Sequence, residues 1–249
     1  MSGHSRWAKI KHTKGAADAK RGKIFTKLIR EITTSARIGG GDMNGNSRLR
    51  KAVEVAKAAN MPGDTIDRAL KKGTGELEGA QIEEIGYEGY GPGGVAILIQ
   101  VMTDNKNRTV AEIRHMLAKY NGNMASAGAV AWVFEDKGVL YVPKGAASED
   151  KLMELTLDAG AQEISDAGDE WEIQTDPGAY DAVKAALDGA NVSVARGEVT
   201  KLPKNSVKVS GPEAATTLRL IEALEDHDDV QHVFANFDIA EEEMARLSA

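Results

Sequence analysis

Residues 138–200 run GVLYVPKGAASEDKLMELTLDAGAQEISDAGDEWEIQTDPGAYDAVKAALDGANVSVARGEVT, and their reading decides the fold. Apolar and turn patterns predict a strand at 138–142, a helix at 148–159, and strands at 162–166 and 170–175. A helix at 178–189 and a strand at 192–200 follow. This βαββαβ order is the split, ferredoxin-like unit.

Outward on the C-terminal side, Lys201-Leu202-Pro203-Lys204-Asn205 leads to a strand at 206–210, a helix at 212–226 and a strand at 230–237. On the N-terminal side, Gln81–Tyr90 and Val95–Thr103 read as strands joined by the turn Gly91-Pro92-Gly93-Gly94. Thr109–Tyr120 reads as a helix, with Val110, Ile113, Leu117 and Tyr120 on one face. Thr109 and Glu112 have capping-box spacing, and Gly122 can end this helix. Ala129–Glu135 reads as a strand holding Trp132 and Phe134. The elements after 206 supply the missing half of the unit begun near 81. The 138–205 unit is therefore expected as an insertion into a unit made of 76–137 plus 206–249, with a serial order of domains as the alternative.

Residues 1–75 read as all-α. From about Asp18, and firmly after Gly22, Ile24, Phe25, Leu28, Ile29 and Ile32 share one helical face. Lys20, Lys23, Lys27, Arg30 and Arg37 fall opposite, forming a basic stripe. Gly39-Gly40-Gly41 ends the helix as a flexible joint. Ser47–Ala59 is a second helix, with Leu49, Ala52, Val53 and Ala56 inward. A third helix after Pro62 carries Ile66, Ala69 and Leu70 and ends in Lys71-Lys72-Gly73 before a linker at Gly73–Gly75. The expected class is thus α+β in three domains: a helical N-terminal domain and two ferredoxin-like α/β domains, the third inserted into the second.

Charge separates these parts. Residues 1–75 hold 17 Lys and Arg against 6 Asp and Glu, a net of +11. The other 174 residues hold 14 against 32, a net of −18, which together give the overall −7. A basic domain on an acidic body fits a nucleic-acid binder whose contact surface is segregated. The opening stretch from Gly3 to Lys27 contains one acid, Asp18. Arg6, Trp7, Lys9, Lys11, His12, Lys14, Lys20, Arg21, Lys23, Lys27 and Arg30 are the candidate contacts. Lys106, Asn107 and Arg108, between a strand and a helix, form a second candidate contact loop.

The chain has no cysteine, which excludes disulfides and thiolate chemistry. No apolar run approaches the ~20 residues of a membrane helix, and no apolar signal core follows the basic start, so the expected location is cytoplasmic. Gly91-Pro92-Gly93-Gly94 lacks the phosphate-loop Lys-Ser/Thr and leads into a strand, so it reads as a hairpin. The five histidines form no metal-binding pair, and no Gly-x-Ser-x-Gly elbow occurs. The expectation is a non-enzyme with no catalytic residue, metal, cofactor or small-molecule substrate.

Gly3-His4-Ser5-Arg6-Trp7-Ala8-Lys9-Ile10-Lys11-His12 and Asp18-Ala19-Lys20-Arg21-Gly22-Lys23-Ile24-Phe25-Thr26-Lys27 closely resemble the opening of the YebC family. Asn60-Met61-Pro62, Lys71-Lys72-Gly73-Thr74-Gly75, Tyr87–Gly94 and Thr103–Thr109 extend the resemblance over essentially the whole chain. It implies a helical domain followed by two α/β domains. It also implies a DNA-binding transcriptional regulator. A mitochondrial relative activates translation of a respiratory-chain subunit, and bacterial relatives are linked to helping ribosomes through difficult peptides. Two readings of the partner follow: DNA, or ribosomal RNA in a ribosome-associated translation factor. No helix with base-reading Asn, Gln and Arg at groove spacing stands out. Trp7 and His12 among cations suit stacking on unpaired bases. A protein-interaction scaffold built on the α/β domains is the third reading.

Overall fold

The computed structural model describes residues 17–248, with side chains from 22 to 247. Helix α1 spans Ala17–Gly39, α2 Ser47–Ala58 and α3 Gly63–Thr74. Their inner faces meet in a small core of Ile32, Leu49, Val53, Ala56, Ile66 and neighbours. Gly73 is no linker residue: it is buried in α3, where a Cβ would lie 2.6 Å from that of Ala36 on α1 and overlap the Thr33 carbonyl. The connection α1–α2 is also fastened. Gly40 takes a left-handed φ of +82° that ends α1. The Asn46 amide then donates to the carbonyls of Ser35 and Gly40, each at 2.8 Å, and its oxygen accepts from Leu49 N at 3.0 Å.

The first sheet contains β1 (Glu83–Tyr90), β2 (Ala96–Thr103), β3 (Asn123–Met124) and β9 (Val230–Ala235), in the order β3-β1-β2-β9, all antiparallel. The second contains β4 (Phe134–Pro143), β5 (Ala161–Asp166), β6 (Glu170–Thr175) and β7 (Arg196–Pro203), in the order β5-β6-β4-β7. That is the antiparallel order of a ferredoxin-like unit, with α5 (Glu149–Thr156) and α6 (Tyr180–Gly189) as its helices. Strand β9 rejoins the first sheet only after the second is complete, so the second unit is an insertion. Helices α4 (Lys106–Lys119) and α7 (Gly211–Glu225) cover one face of the first sheet. Ile97, Ile99, Ile113, Leu117, Leu220 and Ile221 fill that core. A short parallel pair, β8 (Val207–Lys208) with β10 (Phe237–Asp238), and α8 (Glu241–Ser248) complete it.

Two expected elements differ. Of the expected strand Ala129–Glu135 only Phe134 and Glu135 are extended: a single 3₁₀ turn at Ala131–Val133 feeds β4, which starts at Phe134 and runs unbroken through residue 138. Phe134 lies in a core on the other face of the first sheet, with Leu98, Val133 and Phe234, while Leu140 and Val142 lie in the core of the second unit. The capping box at Thr109 and Glu112 is absent as well. Helix α4 starts three residues earlier, and its N-cap is Asn105, whose oxygen accepts from Arg108 N at 3.1 Å.

Candidate nucleic-acid interface

Arg6, Trp7, Lys9, Lys11, His12 and Lys14 lie outside the described residues. Lys20 and Arg21 stand on the first turns of α1. Lys23, Lys27 and Arg30 follow at intervals of four and three, so they project from one side of the helix. That side does not face open solvent. It faces the turn between α7 and β9, Glu225-Asp226-His227-Asp228-Asp229. Lys23 Nζ is 3.4 Å from the Asp226 carboxylate, and Lys27 Nζ donates to the Glu225 carbonyl at 2.6 Å. The Arg30 guanidinium is 2.7 Å from Asp229 Oδ1 and also donates to the Asp228 carbonyl.

Asp229 is the hub of this contact, and its side chain is only 3 % exposed. Thr109 Oγ1 donates to it at 2.6 Å, Arg108 at 2.9 Å, and Thr103 Oγ1 lies 3.1 Å away. Burial alone would raise the Asp229 pKa. The hydrogen bonds from Thr109 and Arg108, with the charges of Arg30 and Arg108, outweigh burial and hold it below the usual carboxylate value. One buried acid therefore gathers cations from the helical bundle and from the first sheet unit.

Lys106, Asn107 and Arg108 form the first turn of α4. Arg108 is committed to Asp229 and, at 3.0 Å, to Asp104. The Asp229 hydrogen bond also raises its pKa. Lys106 and Asn107 are exposed.

Further ties run along the bundle. Arg48 of α2 holds Glu31 of α1 through Nε at 2.6 Å and Nη2 at 3.0 Å, and reaches across to Glu84 of β1. The bond to Glu31 is the main reason its guanidinium pKa rises above the ordinary value. Arg37 donates to the Ile82 carbonyl. By contrast Lys51, Lys57, Arg68, Lys71 and Lys72 are exposed on α2 and α3 and face no acidic partner among the described residues.

Between the bundle and both sheets lies a cleft of about 680 Å³ bordered by Arg48, Glu84, Gln100, Lys201 and His232. His232 keeps contact with water there, yet the surrounding protein strips enough solvation to lower its pKa. Glu112, His227 and Asp229 have ligand atoms within 4.8 Å of one another. Their atoms are already matched: His227 Nδ1 accepts from Asp229 N at 3.1 Å, and Nε2 lies 2.8 Å from Glu112. With two guanidiniums on Asp229, this group does not fit a cation.

Sequence reasoning missed Asp226, Asp229 and the Glu31–Arg48–Glu84 chain. The one available signal was the acidic run at 225–229, opposite in sign to the basic stripe.

Among the described residues, no helix is long and apolar enough to cross a membrane. Residues 5–76 match the family model described as the TACO1/YebC protein N-terminal domain, and residues 82–237 match the TACO1/YebC second and third domain. A protein of Geobacter sulfurreducens named "Probable transcriptional regulatory protein" is 56 % identical over 247 residues, covering 99 % of this chain and all of that one. One of the same name from Desulfotalea psychrophila is 55 % identical over 249 residues, covering both chains fully. The crystal structure of a conserved hypothetical protein from Aquifex aeolicus superposes with a TM-score of 0.79 at 45 % identity, covering 92 % of this chain and 95 % of that one. With the two family models matching residues 5–76 and 82–237 and relatives this similar over their full length, the chain belongs to the TACO1/YebC family.

Proposed function

We propose that this chain is a non-enzymatic, nucleic-acid-binding regulator of gene expression, with DNA as its target. The observation that carries the reading is the division of charge: +11 on residues 1–75 against −18 on the rest. The name of the relatives, transcriptional regulatory protein, agrees with it. Arg6, Trp7, Lys9, Lys11, His12 and Lys14 are the proposed first contacts. The exposed cations of α2 and α3 extend that surface. Lys20, Arg21, Lys23, Lys27 and Arg30 form a second set on α1, and Lys106 and Asn107 a peripheral one. In the arrangement described, the acidic turn beside α1 keeps that helix out of a DNA groove.

The test is fluorescence anisotropy on a promoter duplex, a random duplex and single-stranded RNA, at salt from about 50 to 200 mM. Counterion release predicts a steep salt slope, and Arg6→Glu with Lys9→Glu and Lys11→Glu should make it shallower by about 3. Strong preference for the promoter supports transcriptional regulation. Weak, equal binding to every polyanion removes the claim of specificity, and an absence of binding rejects the reading. Trp7 and His12 among cations favour a second reading, a ribosome-associated RNA-binding translation factor. Its mark would be co-sedimentation with ribosomes after DNase treatment.

A further inference from the structure

The basic side of α1 is already occupied by groups that resemble a phosphate backbone: two carboxylates and two carbonyl oxygens, contributed by residues 225–229. We propose that this acidic turn is a built-in competitor for the nucleic-acid site: it holds Lys23, Lys27 and Arg30 in the free protein and gives them up when a polyanion binds. The inference rests on the functional reading above and adds a regulation to it.

Three features make the contact separable. First, the core of the helical bundle and the core of the first sheet unit share no residue, so opening breaks no common hydrophobic core. Second, the chain between α3 and β1 is exposed from 75 to 81 and carries no helix or strand there, which gives the bundle a hinge. Third, Asp229 is not abandoned when Arg30 leaves. Arg108, Thr109 and Thr103 remain within hydrogen-bond distance, so opening does not strand a buried charge, the step that makes breaking most buried ion pairs costly. Lys23 and Asp226 are each nearly half exposed, and water readily replaces that pair.

A tethered competitor acts at high effective concentration, and the affinity measured for a ligand falls with the fraction of open molecules. Neutralising the turn should therefore tighten nucleic-acid binding while leaving every cation in place. Asp226 and Asp228 are both exposed, so Asp226→Asn with Asp228→Asn leaves Asp229 and the fold undisturbed. The expected gain is about two- to five-fold on a single-stranded RNA 30-mer and on a 30-base-pair duplex, the range of a surface ion pair. Glu241→Gln with Glu242→Gln removes the same charge from exposed positions on α8 and serves as the control.

The opening is read separately. The chain has no cysteine, so dyes on Ala58→Cys and Glu222→Cys, both exposed and outside the proposed contact surface, report the spacing of bundle and sheet unit by energy transfer. Saturating nucleic acid should change the transfer in the otherwise wild-type chain, and the neutralised variant should be shifted partway beforehand. Unchanged transfer at saturation overturns the device and spares the functional reading. Equal tightening by the α8 control does the same. Failure of every variant to bind either probe rejects the functional reading, and the competitor falls with it.

Discussion

Asn46 caps α2 with its side-chain oxygen while its amide group closes two carbonyls at the end of α1. Asn46→Ala leaves those buried groups unmet, and a loss of about 2 kcal/mol is expected from urea unfolding. Gly73→Ala is expected to cost at least as much, because its methyl group would enter the α1 backbone at Thr33. Neither role was legible beforehand. Gly39–Gly41 and Gly73–Gly75 look alike in sequence as breaks between elements, but a glycine needed for close packing carries the same letter as one needed for a bend. Two buried carboxyls contribute to the acid response. Burial alone would raise the Glu88 pKa, but backbone N–H groups of Val130, Gly128 and Ala131 bring it below the ordinary value, and Asp229 is lowered as described above. Their folded pKa values lie below the unfolded ones, so their stabilisation is complete above about pH 4–5 and is lost as pH falls through the folded values. Urea midpoints taken from pH 7 to pH 3 should fall, and Asp229→Asn should start lower and fall less.

Helices and strands with one buried face were legible, because periodicity records which side is dry. The inward residues of α2 and the six elements of the inserted unit come from that signal. The N-terminal part of strand β4 escaped it for a physical reason. There Glu135-Asp136-Lys137 crosses between two cores and pairs with Thr200–Leu202, and both Asp136 and Lys137 make ion pairs. A strand segment with no dry face looks like a turn in sequence. The start of α4 was misplaced because Thr109 and Glu112 fit a cap pattern, whereas Thr109 is buried inside the helix and serves Asp229. Asn105→Ala should therefore lower the thermal midpoint, by about 1 kcal/mol of stability, while Glu112→Ala should leave the α4 cap intact. The basic stripe of α1 was legible as a face but not as a contact, since its partners lie 198 residues or more further along the chain.

Across the whole molecule, the division into a basic bundle and two acidic sheet units was legible from charge and element order. How the bundle sits on the first unit was not, because polar docking leaves no periodic trace. The separate cores predict that a chain of residues 80–249 keeps its fold, with a cooperative melt and sheet-rich circular dichroism, and loses nucleic-acid binding. The insertion also has a consequence for how the protein is made. Strand β2 ends at residue 103, and its outer neighbour β9 begins only at residue 230. At a synthesis rate of about 5–20 residues per second, one edge of the first sheet waits roughly 6–25 s for its closing strand. During that interval the nascent chain presents an unpaired, strongly apolar edge beside the ribosome exit, and a chaperone or a second nascent copy can reach it before β9 does.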